Sequence, residues 1–159
     1  MIDESNSAAV GEAMDRALAT ATDEVVALSH SIHAEPELAF AEHRSVAKIL
    51  DTLRAHDFEV ETAVAGMDTA FTASFGSGDL VIGICAEYDA LPEIGHACGH
   101  NIIAASAVGA ALALAPVADA LGITVRVLGT PAEETGGGKV LMLERGVFDG
   151  VGAALMVHP

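Results

Sequence analysis

Three short segments of the sequence carry side chains that can bind metals or transfer protons. The first is His96-Ala97-Cys98-Gly99-His100, the second is the pair Glu133-Glu134, and the third is the single histidine His158. Thiolate, imidazole and carboxylate groups together are typical ligands of zinc and similar divalent ions. The segments lie far apart in the sequence, so a shared site requires a fold that brings them together.

The donors of the first segment alternate along the chain. In an extended loop, residues two apart point the same way, so His96, Cys98 and His100 could face one ion. Gly99 would let the backbone turn close to that ion. A lone cysteine or histidine is more commonly structural. Three nitrogen and sulfur donors at alternate positions instead favour a metal site.

The two adjacent carboxylates suggest a division of roles. Neighbouring side chains diverge, so one of Glu133 and Glu134 could bind metal while the other faces a water molecule. A bound ion lowers the pKa of water, and a free carboxylate can take its proton, which is the chemistry of hydrolysis. Asp89 is equally consistent with a turn residue and with an acceptor that orients a metal ligand.

Hydrophobic periodicity and turn residues predict the elements that position these segments. They predict helices over residues 7–33, 42–56, from 101 onward and 139–145, strands over 60–64, 69–75, 80–86, 124–129 and 153–157, and a loop over 130–138. Residues 80–86 are continuously apolar and predict a strand buried on both faces. The order predicts an α/β fold with a mixed, largely parallel sheet flanked by helices. Parallel strands end at one edge, so the three segments should converge there.

Composition excludes several classes of partner. The chain has 159 residues, 52% of them hydrophobic, which suffices for one domain with a core. It has 23 acidic and 7 basic residues, a formal charge of −16, so we expect neither nucleic-acid nor membrane binding. The mostly apolar stretch over 102–118 is short for a membrane span and predicts a buried helix. Two cysteines and no visible secretion signal predict a cytoplasmic protein without disulfides.

Three motifs resemble the M20 metallopeptidase family. They are Ala86-Glu87-Tyr88-Asp89-Ala90-Leu91-Pro92, Gly95-His96-Ala97-Cys98-Gly99-His100-Asn101 and Thr130-Pro131-Ala132-Glu133-Glu134. The segment His33-Ala34-Glu35-Pro36-Glu37-Leu38 is similar to the amino-terminal signature of one branch. That branch contains aminobenzoyl-glutamate hydrolases, aminoacylase-like enzymes and the M20 domain-containing protein 2 group. Asn101 stands where many relatives have Asp, which favours the dipeptide or aminobenzoyl-glutamate type.

The resemblance implies a zinc-peptidase-like catalytic domain with two divalent ions of the zinc, manganese or cobalt class. It implies hydrolysis of an amide bond in N-acyl amino acids or small dipeptide-like substrates. Glu133 would be the general base and Asp89 the supporting acid. The implied metal ligands are Cys98, His100, Glu134 and His158.

The resemblance also implies that residues 1–159 form only the amino-terminal portion of that catalytic domain. A lid and dimerisation domain, a further ligand histidine and the homo-oligomeric state of full-length relatives would then lie outside this chain, which we expect to be inactive alone. A non-catalytic metal-binding or interaction fragment is one alternative. A second is a cysteine hydrolase with Cys98 as nucleophile and His96 or His100 as base. Chelators would stop a metalloenzyme and spare a thiol enzyme.

Overall fold

Five strands form one mixed sheet in the computed structural model, which describes residues 4–159. The strands are β1 Glu59–Thr62, β2 Phe71–Phe75, β3 Leu80–Ala86, β4 Ile123–Gly129 and β5 Val151–Leu155. Strands β4, β3 and β5 run parallel, whereas β1 and β2 are antiparallel to their neighbours. The order of the strands in the sheet is β1-β2-β4-β3-β5. The parallel arrangement predicted from residue 80 onward is therefore confirmed.

The long helices α1 (Glu4–His33), α2 (His43–Ala55) and α3 (His100–Leu114) pack against each other, and α3 also packs against β3 and β4. Helix α2 has the apolar stripe expected of such a helix, with Val46, Ile49, Leu50 and Leu53 buried. Helix α3 is buried over most of its length, against α1 and β3. The shorter helices are α4 Ala118–Leu121, α5 Glu133–Gly136 and α6 Gly138–Glu144.

The continuous helical stretch His100–Leu121 is long and apolar enough to cross a membrane. Within the fold, however, 67% of its apolar window is buried. Alanines and glycine predominate in it, so α1 can approach closely. The stretch is thus placed as a core helix, and the buried helix predicted over 102–118 is confirmed.

Several local predictions differ from the structure, among them the strands predicted over 60–64 and 69–75, which span Glu59–Thr62 and Phe71–Phe75. The predicted loop over 130–138 contains one helical turn, α5, because the chain turns sharply at Ala132 (φ 56°) and re-enters helical geometry. The strand predicted over 153–157 begins earlier, at Val151, and ends at Leu155. The strand β3 is not buried throughout: Leu80 is 51% exposed, because it lies at the strand's amino end, on the surface.

Candidate metal-binding site

The carboxyl ends of the three parallel strands meet at one edge of the sheet. Glu87 and Asp89 follow β3, the pair Glu133-Glu134 follows β4, and His158 follows β5. Their side chains gather around His100, the first residue of α3, because α3 begins just beyond the same edge. The convergence expected from a parallel sheet is therefore observed.

The orientation of the His100 ring is fixed by Asp89. His100 is fully buried, and its Nδ1 atom lies 2.8 Å from Asp89 Oδ1. A carboxylate can only accept here, so Nδ1 carries a hydrogen, and in the neutral ring Nε2 presents its lone pair. The second Asp89 oxygen accepts a hydrogen bond from the backbone N–H of Glu134, at 3.1 Å. Asp89 thus joins the ring to the end of β4.

Acceptor atoms surround the free nitrogen of His100. Its Nε2 atom lies 3.5 Å from Glu87 Oε2, 3.5 Å from Glu134 Oε1 and 4.0 Å from Glu133 Oε2. Neither His100 Nε2 nor Glu87 Oε2 has a hydrogen-bond partner, although both atoms are buried. Buried polar atoms without partners are rare and costly. Lone pairs that converge in this way fit a bound cation.

The pKa values at this edge reflect a negative local field. Burial by itself would raise the pKa of Asp89, but its hydrogen bonds from His100 and from the Glu134 backbone lower it on balance. Burial by itself would lower the pKa of His100, but the bond with Asp89 and the neighbouring carboxylates raise it. Asp89 therefore remains ionised, and the site as a whole attracts positive charge.

Two groups of side chains could hold a metal ion among residues 4–159. One consists of Cys98, His100 and Glu134, and the other of Glu87, His100 and His158. Within each group, one ligand atom per residue lies within 4.8 Å of the others. The donors are a sulfur, imidazole nitrogens and carboxylate oxygens, a set that suits borderline divalent ions. The four residues named as ligands from the sequence all belong to these groups.

The paired carboxylates stand at different depths. Glu134 is 26% exposed at its side chain and approaches His100 more closely, whereas Glu133 is 39% exposed and lies farther out. Both begin the short helix α5. The deeper side chain belongs to a metal-ligand group, and the outer one belongs to neither.

His96 does not face the same point as its neighbours, so the expectation from alternation is wrong for this residue. The segment is a turn, not an extended loop, since the Gly99 N–H bonds to the His96 carbonyl oxygen at 3.1 Å. The His96 ring instead lies beside His33, with ring centroids 6.2 Å apart. Asn101 also points elsewhere, because its amide donates to Ser29 Oγ at 2.9 Å.

The sequence patterns assign no role to Glu87, although one of the three motifs contains it, and no motif contains Lys139; both residues lie at the site. Glu87 is 1% exposed, and its Oε1 atom forms an ion pair with the Lys139 ammonium. The rule that parallel strands end at the ligand edge could have found Glu87, which directly follows β3. Nothing in the sequence indicates Lys139, which comes from helix α6.

A buried carboxylate outside the site supports the turn that carries Glu133 and Glu134. Ala132 precedes that pair and adopts a left-handed backbone conformation with a φ of 56°, which is unfavourable for a residue other than glycine. Its N–H donates to Oε1 of the fully buried Glu42, at 2.8 Å. Glu42, at the start of α2, therefore holds the strained turn in place.

A cavity of about 220 Å³ opens beside this site. Asp89 and Glu134 contribute to its polar side. The remainder of the lining is mostly apolar and comes from Leu38, Ala39, Ala90, Leu91, Pro92 and Thr135. A side chain of a small ligand would thus have an apolar surface next to the metal-ligand groups.

Comparison with known proteins gives consistent matches. Residues 83–159 match the family described as peptidase family M20/M25/M40. A Xaa-Arg dipeptidase of Mus musculus is 39% identical over 97% of this chain. One of the p-aminobenzoyl-glutamate hydrolase chains of Escherichia coli K12 is 38% identical over 83% of it.

A solved Bacillus subtilis structure, described as a dinuclear metal binding peptidase from the M20 family, superimposes with a TM-score of 0.74. Its sequence is 32% identical, and the match covers 83% of this chain and 41% of that one. The chain spans 40% of the length of the mouse relative and 31% of the Escherichia coli hydrolase chain.

Proposed function

Because this chain belongs to peptidase family M20/M25/M40, we propose that it is the amino-terminal portion of the catalytic domain of a metal-dependent hydrolase. Its substrates would be small dipeptides or N-acyl amino acids, cleaved at an amide bond. The observation that carries the proposal is that carboxylate lone pairs from Glu87 and Glu134 converge on His100 Nε2, an atom that has no hydrogen-bond partner. Peptide and amide substrates are named for the Mus musculus and Escherichia coli relatives.

The donor groups define where metal would be held. We assign Cys98, His100, Glu134 and His158 as ligands of two divalent ions, of the zinc, manganese or cobalt class, because sulfur and nitrogen donors disfavour magnesium and calcium. Bound there, the ions would supply Lewis acidity to the scissile carbonyl and to water. The solved Bacillus subtilis relative is likewise described as binding two metals.

Glu133 is assigned as the general base. Its carboxylate is the more exposed of the pair and is a member of neither donor group, so it is free to face the attacking water. It would take a proton from that water and pass it to the leaving amine nitrogen. Asp89 would act through His100, since it fixes the ring so that Nε2 faces the other ligands.

The cavity next to Glu134 would receive a substrate side chain. Its apolar wall, formed by residues 38–39 and 90–92, favours an apolar group. The nearby carboxylates would disfavour an anionic group at the same point. Positioning of a substrate against its attacking water contributes strongly to catalysis. In the full-length protein, segments that correspond to the unmatched parts of the relatives would complete the substrate pocket.

A cysteine hydrolase is less well supported by the surroundings of Cys98. The neighbouring Glu134 carboxylate, through a hydrogen bond and its charge, raises the pKa of the Cys98 thiol. Activated cysteines have the opposite environment, with nearby positive charge that lowers the pKa. A non-catalytic metal-binding fragment remains the second candidate, because the chain spans well under half of its relatives.

Location and partners follow from charge and thiols. Cys85 and Cys98 are both free, which fits a reducing compartment, so we propose a cytoplasmic protein. The charge of −16 weighs against a nucleic-acid partner, and the names of the relatives support a small-molecule substrate. A homo-oligomer is proposed for the full-length protein.

Metal analysis tests the assignment directly. The chain is loaded with zinc or cobalt, desalted and analysed for metal, together with Cys98→Ala and the matched control Cys85→Ala. We expect Cys98→Ala to lose at least one ion and Cys85→Ala to keep the wild-type content. Equal content in all three proteins would contradict the assignment of Cys98. Amide hydrolysis that a chelator abolishes would then separate an active enzyme from a binding fragment.

A further inference from the structure

We propose that Glu87 is an additional ligand of this metal centre, and that Lys139 is its counter-ion until metal displaces it. The inference rests on the metal site in the proposed function, but it concerns two residues outside the assigned ligands and base. It predicts that the protein contains its own competitor for metal at one half of the site.

The position of Glu87 is that of a ligand. It directly follows β3 at the edge where the other donors meet, and it is 1% exposed. Its Oε2 atom has no hydrogen-bond partner and lies 3.5 Å from the unpartnered Nε2 of His100. Two acceptors in such a buried contact repel each other unless a cation or a proton lies between them.

Within the second group, Glu87 is the donor that a second ion would need. His100 belongs to both groups, but its single free nitrogen has one lone pair and can bind only one ion. If that ion is shared with Cys98 and Glu134, the second group retains only Glu87 and His158. Glu87 therefore gives the second ion a charged ligand from within residues 4–159.

Lys139 pairs with the opposite oxygen of the same carboxylate. Its ammonium contacts Glu87 Oε1 and lies 3.8 Å from Met156 Sδ. A buried carboxylate without a partner is costly, so Lys139 stabilises Glu87 in the absence of metal. The lysine side chain is 29% exposed, and it extends from α6 at the rim of the site. It can move into solvent without becoming a buried charge itself.

The Lys139 ammonium and a metal ion compete for the Glu87 carboxylate because both are positively charged. Asp89, Glu133 and Glu134 also carry carboxylates here, and Lys139 is the lysine or arginine that pairs with this group. A divalent ion on Glu87 neutralises more of that charge than one ammonium does. The two cations would repel each other across a single carboxylate. Binding of the ion at Glu87 therefore displaces the lysine.

Isothermal titration calorimetry with zinc tests the proposal. The variants are Glu87→Gln, Lys139→Gln and the double variant, which leaves no orphaned lysine. Glu37→Gln and Lys48→Gln, which change a carboxylate and the chain's other lysine away from the site, are matched controls. Circular dichroism and urea unfolding verify that each variant is folded.

We expect Glu87→Gln and the double variant to weaken the binding of one zinc ion by about 10–100-fold, a range seen when metal-site contacts are lost. We expect Lys139→Gln to bind that ion more tightly, a gain that misfolding would not produce. Unchanged affinity in the folded Glu87 variants, or weaker binding in Lys139→Gln, overturns the inference. Cys98→Ala, titrated in parallel, reports separately on the proposed function: if it also binds normally, the assigned site itself is wrong.

Discussion

Shielded carboxylates occur in two regions of this chain, and they are satisfied in different ways. Near the start of α2, Glu37 accepts hydrogen bonds from the backbone N–H groups of Arg44 and Ser45, and Glu42 accepts one from Ala132. At the strand ends, Glu87 and Glu134 face His100 Nε2, which offers them a lone pair.

The difference shows that burial of a carboxylate does not by itself indicate function. Glu37 and the Oε1 atom of Glu42 meet donors and stabilise backbone geometry, as buried acceptors usually do, whereas Glu42 Oε2 is buried without a partner. At the strand ends, Asp89 and Glu87 Oε1 also have donors, but Glu87 Oε2 and Glu134 Oε1 meet only the Nε2 atom of His100, so positive charge is short at that point. A metal ion can supply the missing positive charge, and this need distinguishes the functional region.

The largest expected effect distinguishes the roles of the adjacent carboxylates Glu133 and Glu134. In a preparation that hydrolyses amides, Glu133→Gln should lower turnover by about 10²–10⁴-fold, because the general base is lost, while metal content stays near wild type. Glu134→Gln should instead lower metal affinity, because a charged ligand is lost. Turnover and metal content are measured on both variants. The reverse pattern would mean that their roles are exchanged.

The next effect tests whether Asp89 acts through His100. Asp89→Ala removes the acceptor of the Nδ1 hydrogen, so Nε2 no longer faces the other ligands reliably. We expect metal affinity to fall by about 10–100-fold, measured by competition with a coloured chelator. Glu37→Gln is the control from the other region and should bind metal normally. Loss of binding in the control as well would indicate a general structural defect.

Removal of a buried acceptor from the α2 region should affect stability first. Glu42→Ala leaves the Ala132 N–H without its partner, and we expect the free energy of unfolding to fall by about 1–3 kcal/mol. Urea denaturation measures this change. Glu42→Gln keeps an acceptor and should lose less. If Glu42→Ala weakens metal binding more than Asp89→Ala does, the distinction between the two regions fails.

Within the α2 region, the two carboxylates should give opposite pH dependences. Burial by itself would raise the pKa of Glu37, but backbone hydrogen bonds from Ser45 and Arg44 lower it below 4.5 on balance. Its contribution to stability is therefore present above the unfolded pKa and is lost as pH falls through the folded pKa. Burial raises the pKa of Glu42, so folding is favoured by its protonation, and that stability is lost as pH rises through its folded pKa.

Urea unfolding from about pH 3 to about pH 8 checks these signs. Glu37→Gln should lose stability mainly near neutral pH and should be less sensitive to acid than wild type. Glu42→Gln should lose less stability than wild type as pH rises above 4.5. Identical pH profiles for the two variants would contradict the assignment of opposite shifts.

The smallest effect belongs to a carboxylate in neither region. Asp51 is 81% exposed at its side chain and lies 3.8 Å from Arg54 on the same helix. Exposed ion pairs contribute little, so Asp51→Asn should change the free energy of unfolding by less than about 0.5 kcal/mol. Its metal affinity should equal that of wild type. A larger change in either quantity would show that long-range charge, rather than local donors, dominates this acidic protein.

Much of the fold could be predicted because its signals are local. The apolar stripe of α2, the continuous apolar run of β3 and the alternation of strands and helices after Leu80 each depend on neighbouring residues. The edge at which Cys98, Glu134 and His158 meet also followed from the sequence, since strand direction alone determines which ends lie together.

Only the tertiary structure decided which atoms face each other at that edge. The pair of Glu87 and Lys139 joins residues 52 positions apart, and the bond from Ala132 to Glu42 joins residues 90 apart. His96 turns away because the backbone turns before Gly99, which residue spacing does not reveal. Sequence patterns record the period of an element and the order of elements, whereas side-chain partners depend on the packing of elements that the chain brings together from a distance.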